Sequence, residues 1–184
     1  LYKEVQELGG YLTSAGGRRG LTAKKGKARS KKSFHYVGLA FDMALPTGMY
    51  KPDKDPYVIE NLGNRRWRVW MRCDKGEEMT IKGTYVTRSS GKTKLNKKEV
   101  TDKFIDFTSL ALKHGFHSIR ARSSFFKGGS YGGAEWWHFQ YEKALIKGKS
   151  TFGEELLKVY SFDKCKQFAY WSQSKNCIFG KDWF

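Results

Sequence analysis

Two histidines of this chain stand close in sequence to a carboxylate: His35 has Asp42 seven residues after it, and His138 has Glu135 three residues before it. Imidazole nitrogen and carboxylate oxygen are the donors of many catalytic zinc sites, in which three protein ligands leave a fourth position for water. His35, Asp42 and His138 make such a set. Zinc lowers the pKa of its bound water toward about 7, and a carboxylate outside the ligand sphere then takes the proton as general base. Glu135, in a turn expected to enter a strand, is placed for that role without binding the ion. The competing explanation is coincidence, since two histidines and two acids among 184 residues need not converge. The other two histidines read as structural. His114 lies at the end of an expected helix, where the dipole favours a cation, and His117 shares strand parity with Ile119 and Ala121 and reads as partly buried.

The elements that carry these residues follow from periodicity. "SFHYVGLAFDMAL", residues 33–45, reads as strand broken at Gly38. An offset of seven on a flat strand sends side chains to opposite faces, so a shared ion requires a bend, and Gly38 is where the chain can make it. Ahead of it, residues 1–8 are weakly amphipathic and Tyr11–Ser14 is strand-like. Residues 46–64 hold all three prolines and form a turn-rich connection. "RRWRVWMRC" (65–73) alternates as a half-buried strand, with "MTIKGTYVTR" (79–88) as its neighbour across a turn at Asp74–Glu77. A helix is expected from an Asn96 cap, with Glu99 three residues on and Val100, Phe104, Phe107 and Ala111 at helical spacing, to a stop at Gly115. "FHSIRAR" (116–122) returns to alternation. A Gly-rich loop (128–133) leads into a strand from His138, and a short helix near 152–160 precedes an aromatic tail. Strands interrupted by one long helix, without βαβ alternation, give an α+β class with a small, mainly antiparallel sheet and flanking helices.

Length and composition, 39% hydrophobic and 16% aromatic, suit one ordinary domain with a real core and exclude disorder of the whole chain. No apolar run approaches the roughly 18 residues of a membrane span. The chain opens on leucine without a signal-peptide pattern, so it reads as a mature or excised domain, part of a longer product, whose targeting is not visible in this sequence. The cysteines 73, 165 and 177 have no metal-type spacing; Cys165 and Cys177 can pair, which leaves one thiol over. The charge of +17 favours polyanionic partners: nucleic acid, anionic lipid or an acidic wall polymer. Much of it lies in residues 16–32, "GGRRGLTAKKGKARSKK", a Gly/Lys/Arg loop that either is simply solvated or steers a polyanion.

The flanking residues narrow the choice. Residues 33–42 read Ser-x-His-x-x-Gly-x-Ala-x-Asp, and about a hundred residues later 135–138 read Glu-x-x-His, followed by an aromatic strand. This pair resembles the zinc D,D-peptidases: the D-alanyl-D-alanine carboxypeptidases, the dipeptidases of vancomycin resistance and the L-alanoyl-D-glutamate endolysins. The first motif matches at Ser33, His35, Gly38, Ala40 and Asp42, the second at Glu135 and His138, and "GFHSIRARSSF" looks like the strand that precedes the second motif. The likeness covers about residues 8–145. It implies a hedgehog/D,D-peptidase-like fold and zinc held by His35, Asp42 and His138. Glu135 would be the base, and Ser33, Tyr11 and Trp137 would line the substrate. The activity implied is hydrolysis of a peptide bond involving a D-amino acid in peptidoglycan, by a periplasmic, secreted or virion-associated bacteriolytic metallopeptidase acting on wall stem peptides, with anionic wall polymers held by the basic loop. The expected domains are a catalytic 1–145 and a C-terminal extension 146–184 packed on it.

Two departures qualify the match. Family members carry a Tyr-Arg-Ser/Thr strand whose arginine neutralises developing or fixed negative charge, and here the sequence is Tyr11-Leu12-Thr13-Ser14. Arg18, Arg19, Arg29 and Arg120 are candidate substitutes, Arg120 first because it sits nearest the second motif. The tail after residue 145 matches nothing. The alternatives to the peptidase are a basic nucleic-acid-binding domain, in which "RRWRVWMR" stacks bases between cations, and a non-catalytic zinc-binding structural domain.

Overall fold

A computed structural model describes residues 1–23, 30, 32–144, 146 and 148–168. The helices are α1 (Tyr2–Glu7), α2 (Phe107–Lys113), α3 (Phe152–Val159) and α4 (Phe162–Lys166). The strands are β1 (Ala40–Asp42), β2 (Tyr57–Asn61), β3 (Trp67–Ser89), β4 (Lys92–Asp106), β5 (Phe116–Ser118) and β6 (His138–Tyr141). The class is α+β with two small antiparallel sheets rather than one, in the orders β1-β6-β5 and β2-β3-β4. The chain groups into two compact units, 1–15 with 42–139 and 16–41 with 140 onward. The boundary falls inside β1 and β6.

The first unit is organised by the β3–β4 ribbon. Its two-residue loop, Ser90-Gly91, has both φ angles positive (51° and 74°), the conformation whose twist suits a tight antiparallel hairpin. The long helix expected from Asn96 does not form. Val100 and Phe104 are four apart, which places them on one side of a strand as well as of a helix. Here they bury in a small cluster with Val58 and Ile81, in register with β3 from Ser89↔Lys92 to Glu77↔Phe104. Asn96, read as a helix cap, instead donates to Thr87 Oγ1 across the ribbon at 3.0 Å. The helix begins only at Phe107, where Asp106 Oδ1 accepts from Ser109 N at 2.9 Å. The expected stop at Gly115 (φ 84°) holds, its N–H donating to Leu112 O at 2.8 Å.

The expected turn at Asp74–Glu77 is a bulge inside one continuous strand, since Arg72 and Glu77 both pair with Phe104. The bulge anchors α1: Lys75 N–H donates to Leu8 O at 3.1 Å and Gly10 bridges to Cys73. Tyr11–Ser14 is not a strand; Tyr57 holds it instead, its hydroxyl accepting from Thr13 N and donating to Tyr11 O. The core of this unit is aromatic. Tyr57, Phe107, Trp136 and Phe139 are fully buried, and Phe107 meets Phe139 edge-on at 5.2 Å, a favoured ring geometry.

In the second unit Phe152 and Leu156 of α3, with Cys165 and Phe168, pack on Leu21, Phe34, Tyr36, Val37 and Ala40. The helix expected near 152–160 is present, started by a capping box in which Thr151 and Glu154 bond each other's backbone. Cys73 and Cys165 are free and buried; Cys177, the other half of the expected pair, lies outside the described residues, as does the aromatic tail from residue 169. No helix among the described residues is long and apolar enough to cross a membrane.

A Cβ at Gly76 would stand 2.7 Å from the backbone nitrogen of Phe104, and backbone cannot swing aside as a side-chain tip can. Gly76→Ala is expected to lower the urea midpoint by the equivalent of about 1–3 kcal/mol, while Lys75→Ala beside it stays within about 0.5 kcal/mol.

Candidate metal centre

The first motif is built differently from the strand its sequence suggests. Phe34–Val37 is one turn of 3-10 helix preceded by Ser33, and Gly38 (φ 71°) ends it in the left-handed region that glycine adopts without a Cβ penalty. Leu39 N–H closes the turn on Phe34 O at 3.0 Å, and the chain then extends into β1. The bend expected at Gly38 is therefore present, as the exit from a helical turn. It converts the seven-residue offset into a convergent one.

His35 is 5% exposed and its Nδ1 lies 2.6 Å from the carbonyl oxygen of Gly17. A ring nitrogen that donates to a backbone carbonyl leaves Nε2 as the lone-pair atom, the usual way a ligating imidazole is oriented. Asp42 ends β1, and β6 begins at His138. Met43 N–H donates to Trp137 O at 3.0 Å and Tyr141 N–H to Leu39 O at 2.7 Å, so β1 and β6 run in opposite directions with Asp42 and His138 side by side. His138 Nδ1 and Asp42 Oδ1 are 2.8 Å apart.

His35, Asp42 and His138 each offer one ligand atom, all within 4.8 Å of one another, and both histidines are buried. The group can hold a metal ion. The fit rests on the donors: two imidazoles and a carboxylate form the N2O set that zinc takes at 2.0–2.2 Å, which puts ligand atoms about 3.3 Å apart in a tetrahedron. The Asp42 side chain keeps 24% of its exposure, so solvent reaches the group on that side.

Glu135 has φ 57°, rare for a side chain other than glycine or asparagine. Its neighbours Ala134 and Trp136 are fully buried and fix the backbone, while its carbonyl accepts from His138 N at 3.2 Å and closes the turn into β6. Its carboxylate is 14% exposed, with Oε1 2.9 Å from Arg122 Nε.

The remaining expected residues fall as follows. Ser33 Oγ accepts from Arg19 Nη1 at 3.2 Å; Arg19 also donates its backbone N–H to His35 O and lies 5.5 Å over the Tyr36 ring. Arg18 is taken up by Tyr160, its guanidinium 5.2 Å over that ring. Arg29 lies outside the described residues. Arg120 lines a separate depression with Arg65 and Arg66, so the arginines standing beside motif residues are Arg19 and Arg122. Arg122 was the more readable of the two, since it sits two residues beyond Arg120 in the stretch leading to the second motif; nothing in the sequence marks Gly17. Tyr11 is 73% exposed, whereas Trp137 is 5% exposed and packs on Tyr131 and Trp136. His114 Nε2 lies 2.7 Å from Glu4 Oε2, matching its structural reading; hydrogen bonds from Lys113 first and then from His114 draw the Glu4 carboxyl below its usual range.

The "RRWRVWMR" stretch offers little for base stacking. Trp67 is 3% exposed with its Nε1 on Ala134 O, Trp70 Nε1 donates to Glu60, and Arg68 and Arg72 pair with Asp106 and Asp102.

Purified protein supplied with zinc is expected to retain about one ion per chain by atomic absorption. His138→Ala and Asp42→Ala should each lose it with an unchanged far-UV spectrum, while Glu135→Gln should retain it. Zinc retained by both ligand variants would show that the ion is held elsewhere.

No family model matches this chain, and no curated protein and no solved structure matches it.

Proposed function

We propose that this chain is a zinc-dependent peptidase that hydrolyses a peptide bond involving a D-amino acid in peptidoglycan stem peptides or cross-links. The observation that carries the reading is the convergence of His35, Asp42 and His138, from two distant motifs, within 4.8 Å. Support also comes from the Ser-x-His-x-x-Gly-x-Ala-x-Asp and Glu-x-x-His pattern and from an α+β fold of the coarse kind the zinc D,D-peptidases share with hedgehog signalling domains.

His35 and His138 would hold zinc through imidazole nitrogens and Asp42 through a carboxylate oxygen. An ion bound there supplies Lewis acidity, polarising the scissile carbonyl and acidifying water. Glu135 would accept a proton from water and pass it to the leaving amine as the C–N bond breaks, without a covalent intermediate. Arg122 Nε lies 2.9 Å from the Glu135 carboxylate and fixes where it points. Arg19, beside Ser33 and His35, stands in for the arginine missing at Leu12 and meets negative charge on the substrate. The substrate places the protein in the periplasm or outside the cell, secreted or carried on a virion. The net charge of +17 draws it to a polyanionic wall.

A non-catalytic zinc-binding domain is the second reading, favoured by the Asp42–His138 pair, which satisfies both groups without chemistry, and by Leu12. Digestion of purified peptidoglycan with the zinc-loaded protein, read by mass spectrometry, separates the two. The peptidase releases a defined fragment whose mass names the bond. Glu135→Gln keeps its zinc but slows release by about 10²–10⁴-fold, and wild-type protein that releases nothing leaves the structural reading standing.

A further inference from the structure

Arg65, Arg66 and Arg120 line one depression of about 670 Å3 together with Leu62, Gly63 and Asn64. No acidic residue is among its walls. Three other arginines of the first unit have acidic partners: Arg68 with Asp106, Arg72 with Asp102 and Arg122 with Glu135. Arg66 and Arg120 have no acidic partner among the described residues, and Arg65 reaches only the Ala121 carbonyl, at 3.5 Å. Gathering three like charges in one concavity is unfavourable unless an anion joins them.

The backbone reinforces the assembly. Gly63, Asn64 and Arg65 all have positive φ (77°, 48° and 63°). The turn is tied by Leu62 N–H to Arg66 O, Arg66 N–H to Gly63 O and Gly63 N–H to Asn61 Oδ1. The N–H groups of Asn64 and Arg65 are left without an acceptor among the described residues, and successive amides of this kind form anion-binding concavities. Ala121 N–H donates to Arg65 O at 2.9 Å, which sets Arg120 against the turn.

We propose that this depression binds a phosphate group of a phosphodiester polymer. Guanidinium forks match oxyanions bidentately, and a tetrahedral phosphate can serve several forks at once where a carboxylate is filled by one. All three arginines are exposed, so they form a wall for a passing chain rather than an enclosure for a small molecule. The proposal does not depend on the peptidase reading, although the wall lies two residues from Arg122, the ion-pair partner of Glu135.

The test titrates inorganic phosphate into the full chain at constant ionic strength, followed by 15N NMR of arginine Nε and backbone amides. Saturable shifts are expected at Asn64, Arg65, Arg66 and Arg120. Arg66→Ala with Arg120→Ala should weaken binding by about tenfold or more, and Arg66→Lys, which keeps the charge but loses the fork, by several-fold. Lys92→Ala with Lys94→Ala, removing two charges from the β3–β4 ribbon, should change nothing. Equal weakening by the lysine pair would reduce the effect to net charge and overturn the site, as would tighter saturation by acetate than by phosphate. An oligothymidylate and a short poly(glycerol phosphate) are then competed against phosphate. Displacement by one of them identifies the source as nucleic acid or wall polymer, and displacement by neither overturns the polymer assignment.

Discussion

The centre depends on how two short strands are laid against each other. The bonds from Met43 N–H to Trp137 O and from Tyr141 N–H to Leu39 O set the register of β1 against β6. A slip of one residue would turn every side chain of β6 to its other face, sending His138 away from Asp42. The register is protected by what surrounds it. Met43 and Phe139 are fully buried and Trp137 nearly so, so a slip would expose large apolar groups that stabilise the fold by roughly 1.5–3 kcal/mol each.

The parts of the site legible in the sequence were those set by local chemistry. A histidine and an aspartate seven apart with a glycine between them demand a bend, and Gly38 supplies it; Gly115 stops a helix for the same reason. The error came where two periodicities coincide. Val100 and Phe104 satisfy both helix and strand spacing, and what decides between them is a partner strand drawn in by the Ser90-Gly91 turn, a non-local term that a window of sequence does not contain. The residues Asp74–Glu77, which suggest a reversal, suit a bulge as well. The Arg122–Glu135 and Gly17–His35 contacts span 13 and 18 residues, and only the folded loops bring them together.

Charge in this molecule is sorted rather than spread. The first half of β3 spends its arginines on structure: Arg72 binds Asp102, stacks over Phe104 at 5.3 Å, and donates to the carbonyls of Pro52 and Asp55, tying the proline-rich connection to the ribbon. Such buried-edge arginines stabilise through packing as much as through charge. The excess positive charge therefore lies in other residues: the basic segment 16–32 of the sequence and, among the described residues, the arginines of the 63–66 turn and the lysines of the ribbon tip.

If Glu135 is the base of a peptidase, its backbone sets activity and durability against each other. A side chain held in the left-handed basin costs on the order of 1–3 kcal/mol, and glycine would relieve it. A library of this chain screened only for heat resistance would drift toward glycine or asparagine at 135 and discard the carboxylate with the strain. Retention of an acid there under such screening would mean that its bond to Arg122 outweighs the backbone penalty, and that the residue belongs to the scaffold.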